Sequence, residues 1–364
     1  SRHGHGSTLE YLEAMADLVL AETGLLPHAN AGALFFEELA ALRRVSPSQG
    51  MMVESLVEDL DCHRGAPDKQ PARRLATLEA AGQLSIPFTT GILIGIGEDR
   101  GDRIAALEAI AASHRRHGHV QEVIVQNFLP KSGTAMHASP ACPTDQYLDA
   151  VALARLILPP EIHLQAPPNL SDDFGMLLDA GIDDWGGVSP VTADHVNPER
   201  PWPHLDRLRA ATEQRGFGLA PRLTVYPEYV QDPDRWLHPD LHFPVADRSD
   251  AEGLGRDDPG SLFPEAIEEI LAADGAEVRQ VGHRSTAWYS GVPVSPTILV
   301  PAKGAARGRI REVLDGALAG QQAGHHELLA LFRARGPEVA AVAEVADELR
   351  RRTVGDQVTW VANR

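Results

Sequence analysis

Residues 89–99, TTGILIGIGED, set three glycines and four large aliphatics directly before Glu98 and Asp99. Strand backbone without Cβ atoms at Gly91 and Gly95 lets a flat ring lie against it, with its N–H and C=O groups free to read a purine edge. Leu93 would then supply an apolar wall. Glu98, beyond the strand, could accept hydrogen bonds from a hydroxyl or an amine. The plainer alternative is a buried strand ending in a glycine turn, and the local pattern leaves both open. No Gly-Lys-Ser/Thr follows, which excludes a phosphate loop. The glycines lie within the strand rather than opening a helix, which excludes a dinucleotide fingerprint.

Other polar residues also fall at strand ends. Glu54 closes GMMVES, where a carboxylate can hold a ribose diol. QNFLPKSGTAM offers Asn127, Lys131 and Thr134, and amides there can pair with a pyrimidine-like edge. For Lys131 an ordinary Pro-Lys-Ser-Gly turn serves equally well. QAPPNL and DDWGGVSPVTADHVNPE place Asn169, Asp184 and Trp185 at the last two strand ends. A Trp beside Gly186-Gly187 reads as a ligand wall.

Several chemistries find no support. Cys62 and Cys142 are far apart, outside any Cys-x-x-Cys pair, and cannot alone hold zinc or an iron–sulfur cluster. His63 beside Cys62 has no third ligand near it in sequence, so no metal site is expected. A Gly-x-Ser-x-Gly elbow is lacking. Neither Lys69 nor Lys131 sits within a strand, which argues against a Schiff-base aldolase.

These residues need a scaffold, and the chain supplies alternating elements. Strands are expected at 25–30, 50–55, 86–96, 120–128, 162–166 and 182–185. Helices are expected at 9–23, 34–44, 71–81, 103–117, 144–158, 172–178 and 205–215, several closed by glycine. Six βα units in a row imply a parallel sheet covered by helices. In a (βα) barrel the site lies at the carboxyl ends of the strands, where these polar residues fall. Residues 221–263 are rich in Pro, Asp and His without a period and read as an irregular linker. Residues 264–274, 305–332 and 336–353 read as mainly helical, and VTWVANR as strand-like. The 364 residues carry a net charge of −18, with a pI of about 5.3. Nucleic-acid binding is therefore not expected. No apolar run is long enough to span a membrane. The expectation is a soluble, cytoplasmic protein.

GILIGIGE resembles the G-x-I-x-G-x-x-E strand motif of radical S-adenosylmethionine enzymes, with Leu93 where Ile is usual. HRGAPDKQPARRLATLEAAGQLSIPFTTGILIGIGE, QEVIVQNFLPKSGTAM, QAPPNLS and DDWGGVSPVTADHVNPERPWP together resemble the FO synthase family, in its two-barrel form. The resemblance implies a partial (βα)8 TIM-like barrel, strands three to eight, over residues 1–220. A linker at 221–263 and a helical connector at 264–364, leading towards a second barrel, would follow.

The resemblance also implies a chemistry. A 4Fe-4S cluster, reduced by an electron donor, cleaves S-adenosylmethionine to a 5′-deoxyadenosyl radical. Tyrosine and 5-amino-6-(D-ribitylamino)uracil are joined, and this barrel closes the adduct to the deazaflavin and releases ammonia. Gly91, Leu93, Gly95 and Glu98 would belong to the adenine side, and Glu54 to the ribose or methionine part. Asn127, Lys131, Asn169, Asp184 and Trp185 would face the substrate. The family's Cys-x-x-x-Cys-x-x-Cys loop is not in this sequence. An internal segment of a longer enzyme, inactive alone, is therefore expected, needing the remaining strands and the second barrel of its own polypeptide. The alternatives are a related radical enzyme of menaquinone biosynthesis and a cluster-less binding remnant.

Overall fold

The computed structural model describes residues 4–256 and 306–362, apart from 135, 190, 191, 195, 333, 335, 336 and 356. The helix expected at 264–274 lies outside the described residues. Eight strands form one sheet: β1 (His28–Ala29), β2 (Ser48–Gly50), β3 (Phe88–Ile94), β4 (Val120–Asn127), β5 (His163–Gln165), β6 (Asp184–Val188), β7 (Gly218–Pro221) and β8 (Gln357–Ala362). Every pairing is parallel, in the order β1-β2-β3-β4-β5-β6-β8-β7. The sheet curls into a partial barrel of the TIM type, with helices around it.

α1 (Thr8–Thr23) precedes the first strand, and the crossover helices are α2 (Phe36–Leu42), α3 (Pro71–Gln83), α4 (Arg100–His117), α5 (Thr144–Ile157), α6 (Gly175–Asp179) and α7 (Leu205–Glu213). Their ends follow local chemistry. Ser7 accepts the Glu10 N–H at the start of α1, and Gly24 (φ 63°) ends it. Asp99 and Asp102 exchange side chain-to-backbone hydrogen bonds in a capping box that starts α4 directly after the glycine stretch. The outward faces of the strands, including Ile92, Ile94, Val123, Val125 and Leu164, pack into one core with Leu78, Leu107, Ile110 and Leu153 from the helices.

Two regions differ from expectation. Residues 226–248 are not irregular: α8 (Pro227–Val230), α9 (Pro233–Trp236) and α10 (Pro239–Arg248) each open on a proline. Proline suits the first helical turn, where its missing N–H costs nothing. The second is the C-terminal part. The helices α11 (Gly308–Leu318), α12 (His325–Phe332) and α13 (Pro337–Val354) lead into β8. That strand enters the same sheet, between β6 and β7, which accounts for the strand-like VTWVANR.

The amino end of the sheet has a floor. The β3–β4 register slips after Phe88↔Val120 to Thr89↔Glu122, so Gln121 is a bulge residue. Gln121 Nε2 donates to the Thr224 carbonyl (3.2 Å), and the Tyr226 N–H donates to Gln121 Oε1 (3.3 Å). The segment after β7 is thereby drawn beneath the strands. There the Arg222 guanidinium donates to Asp184 (2.6 Å) and Glu122 (2.9 Å) and stacks on Tyr226 at 4.1 Å. Among the described residues, no helix is long and apolar enough to cross a membrane.

Candidate active site at the carboxyl ends of the strands

Above that floor the concave side of the sheet holds two adjoining cavities. The lower, of about 340 Å³, is lined by polar residues of β1, β3, β4 and β5 together with apolar Ile124, Leu170, Trp202 and Val361. The upper, of about 330 Å³, is more apolar, with Leu93, Phe128, Leu129 and Met136 in its wall. Gln126, Val196 and Asn197 line both, so the cavities meet at those residues.

The glycine stretch is explained in part by the chain itself. A Cβ at Gly91 would run into the Ile124 carbonyl oxygen of β4 and come within 2.8 Å of Met52 Sδ. Gly95 (φ 90°) and Gly97 (φ 114°) occupy backbone that side chains rarely adopt. Leu93 does line the upper cavity. The structure alters the role of Glu98. Its carboxylate accepts the N–H groups of Gly95 (2.9 Å) and Ile96 (2.8 Å) and is paired with Arg103 at 2.8 Å. Those oxygens are already taken by the chain's own donors, so Glu98 holds the turn rather than meeting a ligand. Its partner Arg103 was not singled out from the sequence. Its position on the first turns of a helix just after the glutamate is the signal that could have found it.

Glu54 has left-handed backbone (φ 64°), an uncommon state for a residue with a side chain. Its N–H donates to the Gly91 carbonyl (2.9 Å) and its carbonyl accepts from Leu93 N–H (3.0 Å), which carries the β2–β3 pairing past the regular strand. Its carboxylate meets Lys69, His63 (2.8 Å) and Arg74 (3.4 Å). Burial acts to raise its pKa. The hydrogen bond from Lys69 and the charges of Arg74, Lys69 and His63 outweigh this and hold it below the usual glutamate value. An ionised carboxylate is therefore fixed beside the upper cavity, where Cys62 is part of the lining.

Of the five residues expected on the substrate face, three line the cavities. Asn127 and Lys131 line the upper one and Asn169 the lower. Asn127 Nδ2 donates to the Leu170 carbonyl (3.1 Å), and Asn169 Nδ2 to Asp194 (2.8 Å). The Oδ1 atoms of both amides are buried without a partner among the described residues. Lys131 Nζ donates to the Val196 carbonyl and ties two loops together over the site.

The other two are placed elsewhere. Asp184 belongs to the floor, paired with Arg222 and accepting from Thr359. Trp185 is fully buried on the helix side of the sheet, edge-on to Phe174 (5.6 Å), with its indole N–H donating to Thr212 Oγ1 (3.1 Å). It lines neither cavity. Successive strand side chains point to opposite faces, so adjacent Asp184 and Trp185 could not both face inward. Residues not singled out from the sequence, among them His28, Asn30, Gln126 and Gln165, do line the lower cavity. Their signal was positional: each lies on or just past a strand, on its inward-facing alternation.

An iron–sulfur cluster does not fit the residues described. Among them no three His, Cys, Asp or Glu side chains converge as metal ligands. Cys62 lines the upper cavity, while Cys142 is buried behind Gly95, its thiol raised to about 11 by burial.

A curled parallel βα sheet with ligand-sized cavities at the carboxyl ends of its strands defines the βα-barrel class. In an alignment of 385 positions that covers 99% of its length, the chain is 44% identical to the FO synthase of Mycobacterium tuberculosis. Over 260 residues it is 48% identical to the 7,8-didemethyl-8-hydroxy-5-deazariboflavin synthase of Methanopyrus kandleri, covering 77% of that protein and 70% of this chain. The chain belongs to the FO synthase family. It spans about half (45%) of the mycobacterial relative's length. Among solved structures, that of HydG, a maturase of the [FeFe]-hydrogenase, shares the fold with a TM-score of 0.51 and 16% identity, over 66% of this chain and 55% of that one. No family model matches the chain.

Proposed function

We propose that this chain supplies a substrate-binding barrel of a radical S-adenosylmethionine enzyme that forms the deazaflavin FO. The observation that carries this is the identity with FO synthases over nearly the whole chain, together with a ligand-sized cavity that β3 lines through Leu93. S-adenosylmethionine, when bound, would supply the radical that starts the reaction. Its adenine side would lie along Gly91, Leu93 and Gly95, on a backbone that Glu98 and Arg103 hold in place. The Glu54 carboxylate, kept ionised by the hydrogen bond from Lys69 and the charge of Arg74, is suited to a hydroxyl pair or an ammonium group. Asn127 and Asn169 offer unpartnered amide oxygens to donors on a substrate ring. Lys131, by tying its loop to Val196, limits water at the upper cavity. The cluster is assigned to protein outside these residues, and the chain alone is expected to be inactive. The step we assign to this barrel is closure of the tyrosine–ribitylaminouracil adduct with loss of ammonia.

The test is a chimera. The mycobacterial FO synthase, carrying this chain in place of its matching region, is expected to make FO anaerobically, read by FO fluorescence. The same chimera with Leu93→Glu should lose at least about tenfold in rate, equivalent to about 1.4 kcal/mol. A folded, cluster-loaded chimera that makes no FO would overturn the proposal, as would a stable four-iron cluster reconstituted on this chain alone.

A further inference from the structure

The floor of the sheet sets two buried carboxylates against one guanidinium. Arg222 donates to Asp184 (2.6 and 3.0 Å) and to Glu122 (2.9 Å). Two carboxylates sharing one cation favour a proton on one of them. The hydrogen bonds show which. Asp184 Oδ2 accepts from Arg222 Nε and the Thr359 hydroxyl, and Oδ1 from Arg222 Nη2 and the Gly186 N–H (2.5 Å), so both oxygens face donors. Glu122 Oε1 likewise accepts from Arg222 and from the Tyr226 hydroxyl (3.0 Å). Glu122 Oε2 differs. Among the described residues it meets the Thr89 hydroxyl (3.0 Å), a group that accepts as readily as it donates. The proton therefore belongs on Oε2, facing Thr89. Burial, helped by the Asp184 charge, raises the Glu122 pKa above the usual glutamate value against the pull of Arg222. His163, opposite Glu122 on β5 and stacked on Tyr226, has its charge matched by Asp183 and Glu228.

Thr89 completes a path. Its Oγ1 also accepts from Gln121 Nε2 (3.2 Å). With Glu122 and Gln121 both donating to it, its lone pairs are used and its own hydrogen points elsewhere. Thr89 and Glu122 both line the lower cavity, where a ligand atom can take that hydrogen. The other titratable groups in that lining are His28, Asp194 and Arg222. His28 is already neutral at pH 7, its pKa brought down to about 4 by burial and the Arg222 charge. Burial acts to raise the Asp194 pKa, but hydrogen bonds from Asn197, Asn169 and the Val196 N–H hold it below the usual aspartate value. A guanidinium does not release its proton at neutral pH. Glu122 is thus the group in the lining with a proton to give.

We propose that Glu122 and Thr89 form a proton relay that opens onto the lower cavity. Thr89 passes its hydroxyl hydrogen to a basic nitrogen of a bound ligand, while its oxygen takes the hydrogen of Glu122 Oε2. One O–H bond breaks and one forms at Thr89, and Arg222 holds the carboxylate left on Glu122. The relay rests on the function proposed above only for the identity of the acceptor, the amine that leaves as ammonia. There the electron pair of the breaking C–N bond stays with nitrogen, which gains the relayed proton. The proton that the ligand gives up as its new double bond forms returns by the same route, so the elimination leaves the relay unchanged.

The experiment follows the Glu122 proton on this chain by infrared spectroscopy, and the reaction in the mycobacterial chimera. A carboxylic-acid C=O stretch is expected in the unaltered chain at neutral pH and should be missing from Glu122→Gln. In deuterium oxide its hydrogen should exchange at least about tenfold more slowly in Thr89→Val than in Thr89→Ser, because the hydroxyl connects the carboxyl to the cavity. In the chimera, Thr89→Val should lower kcat by at least about tenfold with KM within about twofold, and Thr89→Ser should recover it. An unaltered chain without that band, or equal exchange in the two Thr89 variants, overturns the relay whatever the chimera does. Hydroxyl-dependent exchange with an unchanged kcat in Thr89→Val supports the relay and overturns its part in ammonia release. A folded, cluster-loaded chimera that makes no FO overturns the proposed function, and the exchange measurement still decides the relay.

Discussion

His163 is a residue whose protonation the fold strongly alters. It lies flat on Tyr226 (4.1 Å), with Nδ1 2.6 Å from Asp183 and Nε2 3.3 Å from Glu228. Burial acts to lower its pKa, but the two carboxylates outweigh burial and raise it to about 10. An unfolded histidine titrates near about 6.5. Its contribution to stability is therefore fully present below about pH 6.5 and is lost progressively as pH rises towards 10, by at most about 1.4 kcal/mol per pH unit. Urea midpoints measured between pH 6 and 10 are expected to fall across that window. In His163→Gln the fall should flatten, and an unchanged slope would show that the ring is not held between the carboxylates. The floor also explains what could not be read from the sequence at this scale. Arg222 meets partners 100 and 38 positions earlier in the chain, Glu122 and Asp184, and no local pattern announces such a triad.

At the scale of elements, β3 shows how one sequence feature serves two purposes. The bare position Gly91 reads from sequence as room for a ligand. In the structure it is also room for β4, whose Ile124 carbonyl sits where a Cβ would go. Gly91→Ala is therefore expected to force β3 and β4 apart and cost about 1–3 kcal/mol, the usual range for overpacking. Chemical denaturation would measure it, and a variant as stable as the parent would mean that the two strands are less closely apposed. The strands with continuous apolar runs, such as β3 and β4, and the glycine-closed helices were legible because both signals are local, whereas β2 (SQG) falls mostly ahead of the apolar stretch expected at 50–55. β7, GLAP, was not, because Gly and Pro are poor strand formers. Trp185 was misread for a related reason. A parallel strand is covered on both faces, so a large apolar residue in it does not declare which side it takes. The cavity residues Leu93, Asn127, Lys131 and Asn169 were legible because βα architecture gathers strand ends at one place. The lower cavity's amides were not, since a Gln or Asn within a strand carries no mark of its own.

Across the whole molecule, β8 couples the C-terminal helices to the barrel. It sits between β6 and β7, so both the pairing of β7 and the position of Asp184 depend on it. Val358 on this strand is fully buried, whereas its neighbour Gln357 is exposed. A charge at the first position must be desolvated or must expel the strand, and at the second it stays in water. Val358→Asp is expected to lower unfolding free energy by at least about 3 kcal/mol, while Gln357→Asp stays within about 0.5 kcal/mol of the parent. Without β8, β6 and β7 each present an unpaired edge, and parallel edges of this kind pair with other copies. Val358→Asp should therefore also associate at micromolar concentration, read by light scattering after size exclusion, while Gln357→Asp remains like the parent. Equal behaviour of the two variants would place β8 outside the sheet. A selective effect of Val358→Asp would mean that the sheet holding both cavities depends on a strand more than 130 residues beyond β7.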